Sequence, residues 1–208
     1  GAIEVQPGVY ANEDQTNAIN KIVAFIKQST KPGTDSFFLL GGGAGVGETT
    51  SSNAALNRSG SPKSQIAGAT VSDEAKGVLQ KNMVGYTTMT LAKLLGKRFV
   101  NGKFQQVLFD ASGRKLTPPI QKYKLIVIDE ASMIDKEDWE LLIETMHSGT
   151  KIIFMGDRTQ IPPISEKLSN VFTILPETKS YTRLTQPMRY AAGAPIFQLT
   201  EDKFAKET

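Results

Sequence analysis

Apolar side chains recur along this chain with two different periods. Between Asn12 and Lys27, Ala18, Ile19, Ile22, Val23 and Ile26 fall three and four apart, the spacing that lines one face of an α-helix. Asn12 and Gln15 stand three apart at its start, as a reciprocal capping box requires. Helical spacing returns over residues 72–80, 88–95 and 135–146. Between these segments lie short unbroken apolar runs at residues 37–40, 124–128 and 151–155. Runs of that length without polar alternation suit parallel strands buried on both faces. Strand and helix therefore alternate, and an open α/β sheet is expected.

One stretch interrupts the alternation. RFVNGKFQQVLF, residues 98–109, carries Asn101-Gly102 between two strand-like arms. Asn-Gly supplies the two positive-φ positions of a two-residue turn, so a β-hairpin inserted into the α/β order is expected here. Charge gathers around it. Residues 91–124 hold Lys93, Lys97, Arg98, Lys103, Arg114, Lys115, Lys122 and Lys124 against Asp110 alone, a local charge of +7 in a chain whose formal total is +3. A solvated basic face would account for such a run, but its concentration around one hairpin favours contact with a polyanion such as nucleic acid.

Composition removes several chemistries. The 208 residues are 39% hydrophobic and 22% charged, with no cysteine and a single histidine, His147. Disulfides, thiolate zinc sites, cysteine nucleophiles, multi-histidine metal sites and a Ser/His triad are thereby disfavoured. No apolar run approaches the roughly 18 residues needed to cross a bilayer, and no basic-then-apolar leader opens the chain, so a cytoplasmic location is expected.

After the strand FFLL comes GGGAGVGETT, residues 41–50, laid out as G-x-x-x-x-G-x-T from Gly42 through Gly47 to Thr49. Glycines at a strand-to-helix turn let successive N–H groups converge on phosphate oxygens at a helix N-terminus. A threonine at position 49 suits Mg2+ through its hydroxyl. Glu48 occupies the position where this pattern calls for lysine. Two like charges about 4 Å apart repel by roughly 4 kcal/mol at an effective dielectric near 20, so attraction for phosphate is replaced by repulsion. The following SSNAALNRSGS is also polar for a helix buried against a sheet.

KLIVIDEASMI, residues 124–134, ends a buried strand with two acids. Ligands gather at the carboxyl ends of parallel strands, so Asp129 and Glu130 would face the phosphate loop. Asp129 suits a Mg2+ ligand, and Glu130 a group that orients and deprotonates an attacking water.

Taken together, DEASM (residues 129–133), GDRTQIPPI (residues 156–164) and LTQPMR (residues 184–189) resemble, in order and spacing, motifs II, III and IV of superfamily 1 DNA helicases of the RecD and Dda branch. NEDQTNAI resembles the adenine-reading Q motif, with Gln15 as its glutamine. AGATVSDEAKGVL resembles motif Ia, and by that resemblance Thr70 and Lys76, at matching positions, would contact DNA. TTMTLAKLLG is similar to motif Ib, where Thr88 and Thr90 fall at positions that touch single-stranded DNA, helix capping by Thr87 or Thr88 being the alternative.

That resemblance implies a P-loop NTPase of RecA-like fold: an open parallel sheet with flanking helices and an inserted hairpin. It implies one RecA-like domain 1A over residues 1–208, with residues 97–110 as a pin-like domain 1B. The second RecA-like domain that relatives carry in cis is not expected before Thr208. The implied activity is that of an ATP-dependent 5′–3′ DNA helicase motor, with ATP and Mg2+ as cofactors and single-stranded or forked DNA as partner.

By the same resemblance Gln160 would sense the γ-phosphate and Arg189 would stabilise charge on the transferring phosphoryl. Gly42, Gly43, Ala44, Gly45, Val46, Gly47, Thr49 and Thr50 would cradle the nucleotide, and Thr49 with Asp129 would hold Mg2+. Arg98, Phe99, Lys103 and Phe104 of the hairpin would meet DNA. Whether Phe99, Phe104 and Phe109 stack on bases or pack the hairpin onto the domain stays open at this level. Glu48 and the missing second domain imply impaired hydrolysis and no unwinding by this chain alone. The alternative is a non-catalytic DNA-binding or regulatory module with a degenerate nucleotide site.

Overall fold

The computed structural model describes residues 2–28, 36–42, 48–156, 181–184 and 189–190. Strands β1 (Glu4–Gln6) and β2 (Val9–Tyr10) precede helix α1 (Glu13–Lys27). Both halves of the capping box form: the Gln15 N–H donates to Asn12 Oδ1 at 2.8 Å and the Asn12 N–H to Gln15 Oε1 at 2.9 Å. Glu13 and Asp14 in the first turn and Lys27 in the last complement the helix dipole. Ala18, Ile19, Ile22 and Phe25 are the apolar side chains that α1 buries.

Then follow β3 (Phe37–Gly42), α2 (Glu48–Ser59), β4 (Ile66–Thr70), α3 (Asp73–Asn82), β5 (Thr87–Thr90) and α4 (Leu91–Leu94). The inserted hairpin is β6 (Lys97–Val100) and β7 (Lys103–Gln106). β8 (Leu125–Asp129), α5 (Lys136–Thr145), β9 (Lys151–Met155), β10 (Tyr181–Leu184) and β11 (Arg189–Tyr190) complete the described elements. Six strands form one sheet in the order β10-β3-β9-β8-β4-β5, and every pairing in it is parallel. This is the open parallel sheet with flanking helices and an inserted hairpin that the sequence pattern led us to expect.

Successive side chains of a strand point to opposite faces, and both faces of this sheet are apolar. Phe38, Leu40, Val127 and Ile153 pack with Ile19, Ile22, Phe25, Leu56, Leu79 and Met83 on one side. Phe37, Leu39, Ile126, Ile128, Ile152 and Phe154 pack with Leu91, Leu94, Trp139 and Leu142 on the other. The strand β4 is buried throughout although its sequence is IAGAT. Small residues are needed there: a Cβ on Gly68 would stand 2.5 Å from the Met83 sulfur.

Residues 88–95 depart from the expected helix. Thr87–Thr90 is a strand paired with β4, and only Leu91–Leu94 is helical. Three β-branched threonines favour the pleated conformation, and Thr90 makes the transition by accepting the Lys93 N–H at 3.2 Å as the N-cap of α4. The cap is thus Thr90 rather than Thr87 or Thr88.

The hairpin turns on Asn101 (φ 53°) and Gly102 (φ 76°), as a type I′ turn needs. Its root is fixed to α5. The Lys97 ammonium meets Asp138 Oδ1 at 2.7 Å, and the Gln106 amide donates to the Leu95 carbonyl at 2.9 Å and to Thr145 Oγ1 at 3.1 Å. A second reversal follows, with Phe109 bridged to Lys115 and the Leu116 N–H donating to the Leu108 carbonyl at 2.8 Å. Asp110 organises it by accepting from Ser112 Oγ and from the Ser112 and Arg114 N–H groups. His147 is exposed and accepts the Gly149 N–H. Among the described residues no helix is long and apolar enough to cross a membrane.

The polar segment after the phosphate loop is helical as far as Ser59, and α2 packs against α1, burying Ser51, Ser52, Ala54, Ala55 and Leu56 while Asn57 and Arg58 stay exposed. Neither the Ser51 nor the Ser52 hydroxyl has a hydrogen-bond partner among the described residues. A buried unpaired hydroxyl costs about 1 kcal/mol or more, and alanine is the better helix former. Ser51→Ala and Ser52→Ala are therefore each expected to raise stability by about 1 kcal/mol, which a urea melt would read as a higher midpoint at unchanged slope.

Candidate functional site

The parallel registers bring the ends of the strands to one edge. Leu184 stands opposite Gly42, Met155 opposite Leu40, Asp129 opposite Thr70, and Thr70 opposite Thr90. Gly42, Asp129, Thr70 and Thr90 therefore lie along a single carboxyl edge, with Gly156 directly beyond Met155. Gly156 closes a seam there. Its N–H donates to the Leu40 carbonyl at 3.4 Å, its φ is 155°, and a Cβ on it would stand 3.3 Å from the Ala131 nitrogen.

β8 buries Leu125 through Ile128 and opens at Asp129. Burial pushes the Asp129 carboxyl above the usual carboxylate range; the hydrogen bond from the Glu130 N–H opposes this and the Glu130 charge adds to it. Asp129 has no ion-pair partner among the described residues. A half-buried acid without a cation fits Mg2+, which is held through one or two carboxylates plus substrate phosphates rather than by a dedicated protein cage.

Glu130 has left-handed backbone, φ 57° and ψ 39°, a conformation that costs a non-glycine residue roughly 1–2 kcal/mol. Its Oε1 accepts from Thr70 Oγ1 at 2.5 Å, from Ser72 Oγ at 3.2 Å and from the Ser72 N–H at 3.5 Å. Ser72 is at the same time the N-cap of α3, accepting the Ala75 N–H at 3.2 Å. Thr70 is fully buried.

The remaining candidates are distributed as follows. Gly43, Ala44, Gly45, Val46, Gly47 and Gln160 lie outside the described residues. Glu48, Thr49 and Thr50 open α2, the helix that follows β3. Gln15 is fully buried at the start of α1, its carbonyl engaged in the capping box. Arg189 opens β11, whose backbone pairs with β2 at Tyr10, two residues before the start of the Q-motif segment at Asn12. Lys76 is half-buried on α3, Thr88 is half-buried in β5, and Thr90 caps α4.

On the hairpin, Arg98 and Lys103 are exposed, and Phe99 and Phe104 are 66% and 56% exposed. Those two rings form a cross-strand pair with centroids 5.5 Å apart and edge-to-face tilt. Phe109 is 59% exposed. The three aromatics do not pack the hairpin onto the domain; Lys97 and Gln106 do that. Ser72 was not singled out by its sequence context, because an N-cap serine carries no sign of a carboxylate 58 residues away.

A parallel sheet whose carboxyl edge joins a glycine-ended strand and its following helix to an Asp-Glu pair defines a P-loop NTPase of RecA-like fold. The chain belongs to the family described as "AAA domain", whose model matches residues 11–202. It is 29% identical over 91% of its length to the ATP-dependent DNA helicase dda of Enterobacteria phage T4, covering 42% of that protein. It is 26% identical over 77% of its length to the ATP-dependent RecD2 DNA helicase of Deinococcus radiodurans, covering 20% of it. Unliganded Pif1 from Bacteroides sp is similar at a TM-score of 0.47 and 20% identity, over 91% of this chain and 43% of that one. The chain thus spans less than half the length of these relatives. Its likeness to superfamily 1 helicase motor domains of the RecD and Dda branch, drawn from the motifs, is borne out.

The raised Asp129 carboxyl gives a signed expectation. An acid whose folded pKa exceeds its unfolded value is tolerated best when protonated, so its penalty is absent below the ordinary aspartate range and grows as pH rises through the raised value. Asp129→Asn should melt at the same temperature as the parent near pH 3.5 and at a higher one near pH 7.5, in calorimetric scans without divalent cations.

Proposed function

We propose that this chain is the motor domain of an ATP-dependent 5′–3′ DNA helicase: a RecA-like domain 1A with residues 97–110 as its pin-like domain 1B, working in the cytoplasm with a second RecA-like domain in cis. The observation that carries the reading is the Asp129-Glu130 pair at the carboxyl end of β8, on the same sheet edge as Gly42. The relatives named above support it, both being ATP-dependent DNA helicases.

In this reading the backbone from Gly42 to Gly47 cradles the phosphates, with Thr50 beside it, and Gln15 reads the adenine. Thr49 and Asp129 hold Mg2+, which when bound neutralises charge on the phosphate oxygens. Glu130 orients a water and accepts its proton, Gln160 senses the γ-phosphate, and Arg189 stabilises charge on the phosphoryl group in flight. Single-stranded or forked DNA runs over Lys76, Thr88 and Thr90 toward the hairpin. Arg98 and Lys103 meet phosphates there, and Phe99 and Phe104 offer faces on which bases stack.

Glu48 favours a second reading, a non-catalytic DNA-binding module that kept the fold. Calorimetric titration with Mg2+-ATP separates the two when this chain is compared with Glu48→Lys. If the site is an ATP site weakened by one charge, the lysine form binds tighter by about tenfold or more, a gain of about 1.4 kcal/mol. Failure of both forms to bind would overturn the ATP-driven reading and leave the binding module.

A further inference from the structure

We propose that the amino edge of the sheet, where its strands begin and opposite the candidate nucleotide site, is a docking surface for an acidic segment of a partner protein. That segment seats one apolar side chain in a cavity between the end of α1 and the starts of β4, β8 and β9.

The cavity has a volume of about 330 Å3. Ile26 and Leu125 give it an apolar floor, and Gln28, Gln65, Lys124 and Lys151 line the rest that matters here. It stands on backbone that the sheet holds in place. The Lys124 N–H donates to the Gln65 carbonyl and the Lys151 N–H to the Lys124 carbonyl, each at 2.9 Å, so the site is formed before a ligand arrives.

Electrostatics at this edge favour an anion. The buried Lys151 ammonium donates to the carbonyls of Phe25, Ile26 and Gln28. The negative end of the α1 dipole, which would repel a carboxylate, is thereby neutralised. Lys124 is exposed and has no ion-pair partner among the described residues. The helices that return to this edge close on Lys27, Arg58 and Lys81, and Lys63 and Lys122 add to them from the segments leading into β4 and β8. Among the described residues of those closing turns and leading segments, Glu144 is the one acid.

The lining selects a peptide over nucleic acid. Single strands are held by stacking on aromatic rings, and the exposed phenylalanines among the described residues, Phe99, Phe104 and Phe109, belong to the hairpin and the reversal after it. At the amino edge Tyr86 and Tyr123 are half-buried. The cavity offers instead an aliphatic floor rimmed by two amides and a lysine. Carboxylates flanking a leucine-like side chain complement it, charge steering the encounter and the seated side chain anchoring it.

Fluorescence anisotropy on the full chain tests this with a labelled oligo-aspartate peptide that carries one leucine. Saturable binding is expected, and the same peptide with serine for leucine should bind about tenfold more weakly, because the aliphatic burial is lost. Lys124→Glu exchanges an attraction for a repulsion at an exposed site and should weaken binding about fivefold. Lys136→Glu, the same change of charge at the start of α5 on the carboxyl edge, should bind like the parent. Gln28→Glu gives the same measurement should Lys124→Glu fail to fold. Unlabelled oligothymidylate should not displace the peptide.

No saturable binding, equal binding of the serine peptide, or equal affinities for Lys124→Glu and Lys136→Glu would overturn the proposal. Displacement by oligothymidylate would overturn it too, by assigning the surface to nucleic acid.

Discussion

The register that sets β8 between β4 and β9 is the constraint on which the rest depends. Four successive residues of β8 are buried on alternating faces, and the fifth, Asp129, emerges at the edge. Because side chains alternate with period two, a slip of one residue would exchange the apolar sets of both faces and withdraw the acids from the edge. The two apolar layers hold the register from both sides, Val127 with Phe38 and Ile153 in one and Ile126 and Ile128 with Trp139 and Phe154 in the other. Core packing and placement of the acids are one structural decision.

The consequences reach beyond β8. Asp129 stands opposite Thr70, so the strand that ends in the acids is locked to the strand that feeds α3. Gly156, at the end of β9, fits against the backbone of Ala131 because it has no side chain to keep the two turns apart. The segment following Glu130 thus runs beside Gly156 on one flank while the Glu130 carboxylate bonds to Thr70 and Ser72 on the other, and Glu130 itself has left-handed backbone.

What the sequence disclosed divides along the range of the interactions responsible. α1, α3 and α5 were legible because period and caps are local: Asn12, Ser72 and Asp135 each cap the helix that follows within three residues. The first hairpin was legible from Asn101-Gly102. The strands β4 and β5 were not. IAGAT and TTMT lack an apolar run, and their strand state comes from pairing with each other and with β8. The reversal at Asp110 could have been found from its Asp-x-Ser-Gly turn chemistry. Within the candidate site, the acids and the glycine-rich turn could be read from residue type and spacing. The Thr70, Ser72 and Glu130 cluster could not, since it joins residues about 60 apart through a sheet register that no local pattern encodes.

The hairpin follows from the same architecture. An isolated two-stranded hairpin is marginal in water, and this one leaves its aromatic pair exposed instead of using it for anchorage. Its stability comes from the root, where Lys97 and Gln106 bond to Asp138 and Thr145 of α5. α5 begins six residues after Glu130, capped by Asp135. The hairpin root is thus bonded to the helix that the acidic turn leads into, and Ser72 on the opposite flank both caps α3 and bonds to Glu130. The two surfaces proposed to meet DNA therefore flank the short segment that carries Asp129 and Glu130, α3 through the bonds of Ser72 and the hairpin through the helix that follows in the chain. It is the register of β8 between β4 and β9 that places the acids between these two anchored elements.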